Sequence, residues 1–492
     1  MDFALYRIVI VTGLFSVFFT LRALYRLLVH PLAQFPGHKY AAISRSWQGS
    51  VVLAGAPEQE YERLHKQYDT QALRIGPNEL HISDVKLYKT IYSQTNPFPK
   101  HDYFYECFNT PHTLFVETDT SLHKERRKTL NPLFSRTGVE QFQPAMAEKL
   151  RQIGAKLRRI SKNGPIGVNN MIRSMTVDII SQLAFGSSLG LIEESKDSCE
   201  AAFLQAFDVA GAAIYGMYYN PIQKFASSLV SLDVLGKLDP GLGELARLQR
   251  YAKDSHARFI RRNDEAKQSS PHPIIFDRLM GVPIDQQVTE SIDILVAGSD
   301  TTAFTLTVCL NAVLANVHLK RKVVAAVDEA MPDPHKLPSF VELEKNAYLF
   351  AVVKESLRFA MAVPGMLPRV VPERSQPFMV DGKVVPPGTV VGMSAYTMNF
   401  SEELWGPDAK EYKPERWLGE QAKTLDSGLA TFSKGSRQCI GINVANAEVI
   451  LAITYLFRNF DMDLVTPSMK LRDVFTYQVL SPGLQVRFMD RT

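Results

Sequence analysis

Apolar residues recur every three to four positions over most of the chain beyond residue 57. This period predicts amphipathic helices at residues 58–68, 139–161, 168–183, 245–267 and 321–330. Longer apolar stretches predict two further helices, at residues 287–316 and 445–456. Helices therefore dominate the predicted structure.

Strand-like patterns are confined to two short regions. Residues 73–82 alternate in the manner of a hairpin, and so do residues 378–385, where Asp381 and Gly382 are typical of a turn that needs positive φ. No internal repeat or low-complexity stretch interrupts the pattern. The expected fold class is mainly α with small peripheral β-sheets.

The N-terminal region differs from the rest of the chain. Residues 8–21 (IVIVTGLFSVFFTL) are uncharged, between Arg7 and Arg22. They are fewer than the roughly 20 needed to span a bilayer, but snorkelling arginines extend the span to residues 3–28. A cleaved signal peptide, for which no cleavage site follows, and an interfacial helix are the alternatives. We expect one retained membrane anchor at residues 1–30, with the arginines after it favouring a cytoplasmic catalytic domain.

Pro31, Pro36 and Gly37 follow this anchor and prevent the helix from continuing. They predict a stiff Pro-containing linker at residues 31–56, ahead of a single catalytic domain at residues 57–492.

The composition is that of an ordinary globular protein. Hydrophobic residues make up 46% of the 492 positions and charged residues 22%. The net charge of +4 comes without a long basic run, so nucleic acid is not expected as a partner. The four cysteines have no metal-like or disulfide-framework spacing, which favours a reducing compartment.

One of these cysteines, Cys439, lies in the segment FSKGSRQCIG at residues 432–441, just before a predicted helix. Gly435 and Gly441 would let the backbone bend and approach a flat partner closely. The free N–H groups of a helix N-terminus favour a thiolate over a thiol, and Arg437 is placed to meet an anion. A buried, inert cysteine is the usual alternative, but the complete FxxGxRxCxG spacing argues against it.

This segment resembles the haem-binding loop of the cytochrome P450 family, and the similarity extends over most of the chain. The resemblance implies the cytochrome P450 fold, haem b as cofactor and Cys439 as the axial thiolate ligand of the haem iron. Phe432, Gly435, Arg437 and Gly441 would then contact the cofactor. In this family the thiolate pushes electron density that favours O–O cleavage.

A run of poor helix formers, AGSDTT at residues 297–302, lies inside the predicted helix 287–316. The cluster predicts a local distortion that opens a groove. A helix N-cap is the alternative, although residues 292–296 already look helical. The resemblance implies that Asp300 and Thr301 are the acid–alcohol pair that relays protons to iron-bound dioxygen.

His123 and Arg127 are four residues apart and therefore share a helix face. The resemblance implies that both bind haem propionates, as does Arg369, although many relatives carry Trp at the position of His123. Lys124 and Lys128 fall on a neighbouring face, where they could dock a reductase or simply be solvated.

Glu355 and Arg358 share the face of another helix, and Arg416 follows in the PERW stretch at residues 414–417. The resemblance implies a Glu–Arg–Arg cluster that holds the haem-loop region. Its expected role is structural.

The source of electrons is not visible in this chain. The GLGELA stretch at residues 241–246 has the spacing of a dinucleotide-binding loop but follows Asp239-Pro240 rather than a strand, so no such fold is expected. The resemblance implies NADPH-cytochrome P450 reductase in trans, with cytochrome b5 as an additional donor.

Residues 29–42 look like those of the fungal microsomal class that oxidises secondary metabolites, the class of trichodiene oxygenase, with His38 in place of the usual Pro. The expected activity is that of an endoplasmic reticulum monooxygenase that inserts one oxygen atom from O2 into a lipophilic terpenoid, polyketide or alkaloid. The segments that resemble the family's pocket walls, at residues 103–105, 207–219, 361–366 and 477–480, are apolar and aromatic.

Two other functions fit parts of the pattern. A reductase-independent haem-thiolate isomerase or dehydratase often lacks the acid–alcohol pair that is present here. A non-enzymatic haem-binding membrane protein would need no proton relay.

Overall fold

The computed structural model describes residues 3–265, 272–466 and 468–491, most of which are helical. The α-helices of eight or more residues are Phe3–Leu28, Ser46–Leu53, Pro57–Tyr68, Thr120–Leu130, Arg136–Ile160, Val168–Phe185, Ala202–Tyr219, Pro221–Leu229, Pro240–Glu265, Ile284–Leu314, Val317–Ala330, Ala347–Ala360 and Ile442–Asn459. Shorter α-helices are Lys39–Ile43, Tyr88–Ile91, Asp102–Tyr105, Leu191–Glu194, Leu232–Leu235, Phe340–Leu343, Ala395–Asn399, Glu402–Trp405 and Ala422–Gly428.

The predicted helices are confirmed, most of them with an additional residue or turn at an end. The helix predicted at residues 245–267 begins at Pro240 and is described as far as Glu265, so residues 266 and 267 lie outside the described residues. The GLGELA stretch lies within this helix and follows no strand, which confirms that it is not a dinucleotide-binding loop.

The strands are short and lie in small sheets. They are β1 (Ala72–Gly76), β2 (Glu79–Ile82), β3 (Ile166–Gly167), β4 (Arg369–Val370), β5 (Phe378–Val380), β6 (Lys383–Val385), β7 (Val390–Gly392), β8 (Phe460–Leu464), β9 (Leu471–Asp473), β10 (Tyr477–Val479) and β11 (Gln485–Asp490). Within the described ranges, one sheet has the order β1-β2-β7-β4 and another β3-β11-β8, while β5-β6 and β9-β10 form two-stranded sheets.

Both predicted hairpins are confirmed as the antiparallel pairs β1-β2 and β5-β6. In the second, Asp381 and Gly382 have φ of 52° and 69°. Positive φ at both central residues is what a two-residue turn between twisted strands requires. The fold class is thus mainly α with small β-sheets, as the sequence predicts.

The longest helix, Ile284–Leu314, runs through the main hydrophobic core and is called the central helix below. It packs closely against the helix Val168–Phe185. A Cβ atom on Gly298 would lie only 2.4 Å from Cγ1 of Ile180, so a side chain at this position would force the two helices apart.

The prediction of a distortion at residues 297–302 is wrong, because the central helix is α-helical without interruption. The hydroxyls of Ser299 and Thr301 donate hydrogen bonds to the carbonyls of Val296 (3.1 Å) and Ala297 (2.9 Å) within the same helix. Such back-bonding satisfies a polar side chain without an N-cap or a break. Gly298 is explained by the close helix contact instead.

The N-terminal helix Phe3–Leu28 coincides with the predicted span, and its side chains from Val9 onward are largely exposed. By length and hydropathy, the segment Val9–Leu28 could cross a membrane, whereas the central helix passes the same test but is mostly buried. The predicted Pro-containing linker packs against the globular part, because Leu32 and Phe35 are buried in the cluster that includes Tyr88 and Val385.

Candidate active site

The segment 432–441, called the thiolate loop below, is folded back on itself ahead of the helix Ile442–Asn459. The backbone N–H of Cys439 donates to the carbonyl of Phe432 at 2.9 Å, which closes the loop. Gly435 has φ of 75°, and a Cβ there would lie 2.3 Å from the carbonyl oxygen of Ser93. Only glycine fits this backbone conformation at so close an approach.

Cys439 is accessible at its surface yet lies deep among protein atoms. This desolvation raises the pKa of the Cys439 thiol, whereas the backbone N–H of Gly441 and the charge of Arg127 lower it. The N–H group at the helix N-terminus therefore lowers the pKa of Cys439, as expected, but by less than desolvation raises it. The cation that lowers the pKa of Cys439 is Arg127 rather than Arg437, and a metal ion bound to the sulfur would favour the thiolate further.

Four basic side chains come together near the thiolate loop: Lys100, Arg127, Arg369 and Arg437, called the cation group below. Lys100 and Arg369 are paired in a β-bridge. The charges of Arg369 and Arg437 help to lower the pKa of Lys100, after the larger effect of its burial. Burial, followed by the charge of Arg369, lowers the pKa of Arg437 to about 10. Lys100, Arg369 and Arg437 are therefore close enough for their charges to disfavour one another in a poorly solvated site.

No member of the cation group forms an ion pair with a carboxylate of the described residues. They donate instead to neutral oxygens: Lys100 to the carbonyl of Phe115, Arg127 to that of Gln438, Arg369 to the Tyr105 hydroxyl, and Arg437 to the carbonyls of residues 117–119. An excess of buried positive charge is costly without an anionic partner. The group is therefore suited to an anionic ligand.

His123 lies among these cations and is 5% exposed. Desolvation and then the positive charges of Arg437, Lys100 and Arg127 lower its pKa to about 3. The imidazole is thus neutral at physiological pH and can donate one hydrogen bond, although it adds no charge.

Three observations indicate that haem fits this arrangement. Cys439 offers an accessible sulfur ligand. The cation group supplies unpaired positive charge for two propionates. A Cβ on Gly441 would lie 3.8 Å from Sγ of Cys439 with no other atom within 4 Å, so glycine keeps the space beside the sulfur free for a flat group.

The structure brings the predicted residues Cys439, Arg127, Arg369, Arg437 and His123 into one region. Phe432, which is half-buried, contributes the carbonyl that fixes the thiolate loop, and Gly435 contributes the tight turn. Sequence reasoning missed Lys100, because a single lysine in a loop carries no motif. Its neighbours Pro97 and Pro99 gave no sign of a buried charge.

The predicted Glu–Arg–Arg cluster is confirmed. The carboxylate of Glu355 accepts from Nε and Nη2 of Arg358 at 2.8 and 2.7 Å, and from Nε of Arg416 at 3.0 Å. Arg358 also donates to the carbonyl of Asn399, whose amide donates to the Thr431 hydroxyl at 2.9 Å. Hydrogen bonds therefore connect the cluster to the residue that precedes the thiolate loop.

Asp300 is held by an arginine that the sequence did not predict. Its Oδ1 lies 2.7 Å from Nε of Arg173, which is 3% exposed and also pairs with Asp208 at 2.9 Å. The Thr476 hydroxyl donates to the other carboxylate oxygen of Asp300 at 3.4 Å. Desolvation raises the pKa of Asp300, and Arg173 opposes that rise.

Thr301 is the partly exposed member of the predicted acid–alcohol pair, and Ala297 one turn earlier is also exposed. The two share a helix face. The Thr301 hydroxyl donates its proton to the Ala297 carbonyl, so its oxygen remains free to accept a hydrogen bond. Asp300 and Thr301 are adjacent in sequence but have different partners.

Three of the four predicted pocket walls line one cavity, called the aromatic cavity below. They contribute Phe104, Tyr215, Tyr218, Tyr219, Gly365 and Met366. The fourth predicted wall does not reach this lining, although Phe475 just before it does. Tyr477, within that wall, packs against Phe304 of the central helix, with ring centroids 5.4 Å apart.

Comparison with known proteins agrees with this geometry. The sequence model of the family described as Cytochrome P450 matches residues 46–486. The chain is 30% identical to the cytochrome P450 monooxygenase macH of Penicillium terrestre, over 93% of this chain and 92% of that protein. It is 30% identical to the cytochrome P450 monooxygenase aneF of Aspergillus aculeatus, over 93% and 94% of the two chains. It is 31% identical to the cytochrome P450 monooxygenase sdnE of Sordaria araneosa, over 90% and 89%.

Proposed function

Because this chain belongs to the cytochrome P450 family and is a monooxygenase, we propose that it performs a tailoring step in fungal secondary metabolism. The proposed reaction inserts one oxygen atom from O2 into a lipophilic, medium-sized substrate. The observation that carries this proposal is an accessible Cys439 beside four basic side chains that have no carboxylate partner within the described part of the chain. Relatives from Penicillium, Aspergillus and Sordaria support the fungal assignment.

Haem b is the proposed cofactor, with Cys439 as its thiolate ligand, and when bound it supplies the activation of O2. The cation group and His123 would hold its propionates. Arg127 has a second effect, because its charge lowers the pKa of Cys439 as well. Phe432, Gly435 and Gly441 shape the loop around the sulfur.

Asp300 and Thr301 are proposed to handle the protons that the reaction consumes. Burial keeps the pKa of Asp300 above its usual value, which brings it nearer to the working pH of a proton donor. Its carboxylate must leave Arg173 to reach Thr301 or a water beside it. The Thr301 oxygen, whose own proton is committed to Ala297, can accept a hydrogen bond from the arriving donor.

Electrons are proposed to come from NADPH-cytochrome P450 reductase, with cytochrome b5 as an additional donor. Lys124 and Lys128 are exposed on the helix Thr120–Leu130, the same helix that carries Arg127 and His123. A basic surface on this helix would attract an acidic partner close to the cofactor.

We propose that the helix Phe3–Leu28 anchors the protein in the endoplasmic reticulum membrane, with the catalytic domain on the cytoplasmic side. A second apolar surface supports contact with lipid. Ile222, Phe225 and Leu229 share one face of the helix Pro221–Leu229 and are 79%, 65% and 69% exposed. Exposed apolar patches of this kind mark membrane or partner contacts.

The proposed function is tested with the purified full-length chain, a microsomal reductase, NADPH and isotopically labelled O2. The reaction mixture contains a panel of terpenoids, polyketides and alkaloids, and mass spectrometry follows the labelled oxygen. We expect reductase-dependent incorporation of one labelled atom into at least one compound. Conversion that continues without reductase and NADPH would contradict the monooxygenase assignment for that compound.

A further inference from the structure

Glu58 is a buried carboxylate whose role the oxygen chemistry leaves unexplained. It lines the aromatic cavity from the first turn of the helix Pro57–Tyr68 and is 3% exposed. Its Oε2 atom is fully buried and accepts no hydrogen bond from any described residue. Its Oε1 atom lies 3.7 Å from the position that a Cβ on Gly365, also in the cavity lining, would take. The position of Glu58 at a helix N-terminus favours its negative charge. Its Oε2 atom nevertheless remains without a hydrogen bond.

The imidazole nearest to Glu58 does not donate a hydrogen bond to its Oε2 atom. His81 Nε2 lies 3.4 Å from Oε2, too far for a strong hydrogen bond. The Nδ1 atom of His65 faces the carbonyl of Thr70 at 2.7 Å and must therefore carry a proton. Because His65 is neutral, its Nε2 accepts from Nδ1 of His81 at 2.8 Å. His81 therefore uses its Nδ1 on His65, and neither its Nε2 nor Oε2 of Glu58 has a hydrogen-bond partner among the described residues.

A second buried carboxylate lies next to Glu58. Asp473 is 1% exposed, and its Oδ2 atom also lacks a hydrogen-bond donor among the described residues. Desolvation, with a contribution from the charge of Glu58, raises its pKa to about 7. Its other oxygen accepts from the Tyr215 hydroxyl at 3.3 Å and from the N–H of Phe475 at 2.9 Å. Both of these partners line the aromatic cavity.

Aromatic rings surround this acidic end of the cavity. Tyr61, Phe104, Tyr215, Tyr218, Tyr219 and Phe475 all belong to the lining. The lining contains no lysine or arginine within the described part of the chain. The nearby Arg45 is occupied, because it pairs with Glu79 and lies over the rings of Tyr103 and Tyr218 at 4.9 and 5.2 Å. The cavity lining therefore combines the carboxylate of Glu58 with π-faces.

We propose that Glu58 binds a protonated amine of the substrate, so that the enzyme oxidises a lipophilic basic compound. This inference rests on the proposed function and names its substrate class. An ammonium N–H would donate to Glu58, its positive charge would face the aromatic rings, and Asp473 would favour the same charge from behind Tyr215 and Phe475. A carboxylate ligand would meet Glu58 as a like charge and be excluded.

The test compares three ligands of nearly equal shape: N,N-dimethyl-4-phenylbutylamine, its carbon isostere 5-methylhexylbenzene, and 4-phenylbutanol. Isothermal titration calorimetry measures their binding to the haem-loaded full-length chain in lipid nanodiscs, after subtraction of the signal from empty nanodiscs. Glu58→Gln keeps the side-chain shape and removes the charge. Glu60→Gln is the matched control, because Glu60 lies on the same helix but points to Arg63 on the surface.

We expect Glu58→Gln to weaken amine binding about tenfold or more, the size of a lost charged hydrogen bond. The isostere and the alcohol should change less than about twofold, and Glu60→Gln should change none of the three. Equal weakening of the amine and the isostere would overturn the proposal, since it would indicate a change in cavity shape. Equal weakening of the amine and the alcohol would overturn it in favour of hydroxyl recognition.

Asp473→Asn provides an independent variant if Glu58→Gln fails to bind haem. We then expect Asp473→Asn to weaken the binding of the amine but not that of the isostere or the alcohol. Unchanged amine affinity in this variant would refute the proposal. Binding requires no turnover, so a failed amine preference leaves the monooxygenase assignment intact. Conversely, an inactive enzyme with a normal amine preference would refute the proposed reaction and not the amine site.

Discussion

The Asp300 carboxylate lies 2.7 Å from Nε of Arg173, an arginine on the helix that packs against the central helix. Arg173 also holds Asp208, which is 38% exposed at its side chain. The same guanidinium therefore connects a buried carboxylate beside Thr301 with one that solvent can reach. Proton transfer through Asp300 requires this contact to loosen.

Asp300→Asn should reduce product formation about 100-fold or more, because it removes the ionisable group and keeps the shape. Haem content should stay normal. Asp208→Asn is the control, since it leaves Arg173 paired with Asp300, and its rate should stay within about twofold. The rate of product formation is measured with a compound converted in the labelled-oxygen experiment. Equal effects of the two changes would contradict a specific role for Asp300.

Thr301→Ala should uncouple reductant use from oxidation. The variant loses the hydroxyl oxygen that is free to accept a hydrogen bond from the proton donor, so NADPH consumption should continue while hydrogen peroxide replaces much of the product. The measured ratio is product to NADPH, expected to fall about tenfold or more. Thr305→Ala removes a similar back-bonded hydroxyl one turn later, at a buried position, and should keep the parent ratio.

Cys439→Ala should abolish the strongly red-shifted Soret band that the reduced protein shows with CO, because no thiolate remains to bind the iron. Cys309→Ala is the matched control. Burial raises the pKa of Cys309 to about 11, so it stays a thiol near the Tyr412 hydroxyl, and its removal should leave the band in place. A red-shifted band in Cys439→Ala would place the ligand elsewhere.

Deletion of residues 1–28 should leave haem binding unchanged and weaken membrane association. Leu32 and Phe35 remain in the shortened chain and keep their buried contacts. Extending the deletion through residue 36 should lower the free energy of unfolding by about 2 kcal/mol for each of these side chains. Vesicle flotation and chemical denaturation measure the two effects.

Residual membrane binding of the shortened chain should depend on the face formed by Ile222, Phe225 and Leu229. Phe225→Asp combined with Leu229→Asp should release it from vesicles, since buried charges are costly at the membrane surface. Val384→Asp, at an exposed apolar position in β6, is the control and should leave flotation unchanged. Unchanged flotation of the double variant would exclude this face as the lipid contact.

Glu448→Gln should make the folding stability of the protein decrease less as pH rises. Burial raises the pKa of Glu448 to about 8 in the folded state, with Thr302 opposing the shift. Below the unfolded-state pKa the group is protonated in both states, so its contribution to stability is greatest there and decreases as pH rises toward 8. The loss amounts to at most about 5 kcal/mol, since the pKa of Glu448 rises from 4.5 to about 8. Thermal unfolding at pH 5 and pH 8 should show a stabilised variant at pH 8 alone.

Local sequence patterns predicted correctly those features that depend on residues close together in the chain. Asp381-Gly382 predicted its hairpin because a two-residue turn needs positive φ at both positions. Glu355 and Arg358 were predicted to pair because residues three apart share a helix face. The cysteine loop was identified by its spacing, and the structure explains Gly435 through its contact with Ser93.

Other features depend on contacts between distant segments and left no local signal. Arg173 lies in a helix whose other residues are mostly apolar or small, and nothing near it in sequence indicated that it holds Asp300. Glu58 begins a helix with two further glutamates, Glu60 and Glu62, that are partly exposed, so nothing in the sequence distinguished the buried glutamate from the other two. The predicted distortion at Gly298 was wrong because glycine there serves a helix contact.

The cation group has a consequence for the amount of enzyme that a cell can maintain. Several like charges held together in the interior favour unfolding until an anionic cofactor compensates them. Any ligand that binds the folded state alone shifts the folding equilibrium by mass action. The steady-state level of this protein should therefore follow haem supply, with chains made during haem shortage removed by quality-control proteases instead of accumulating as a stored reserve.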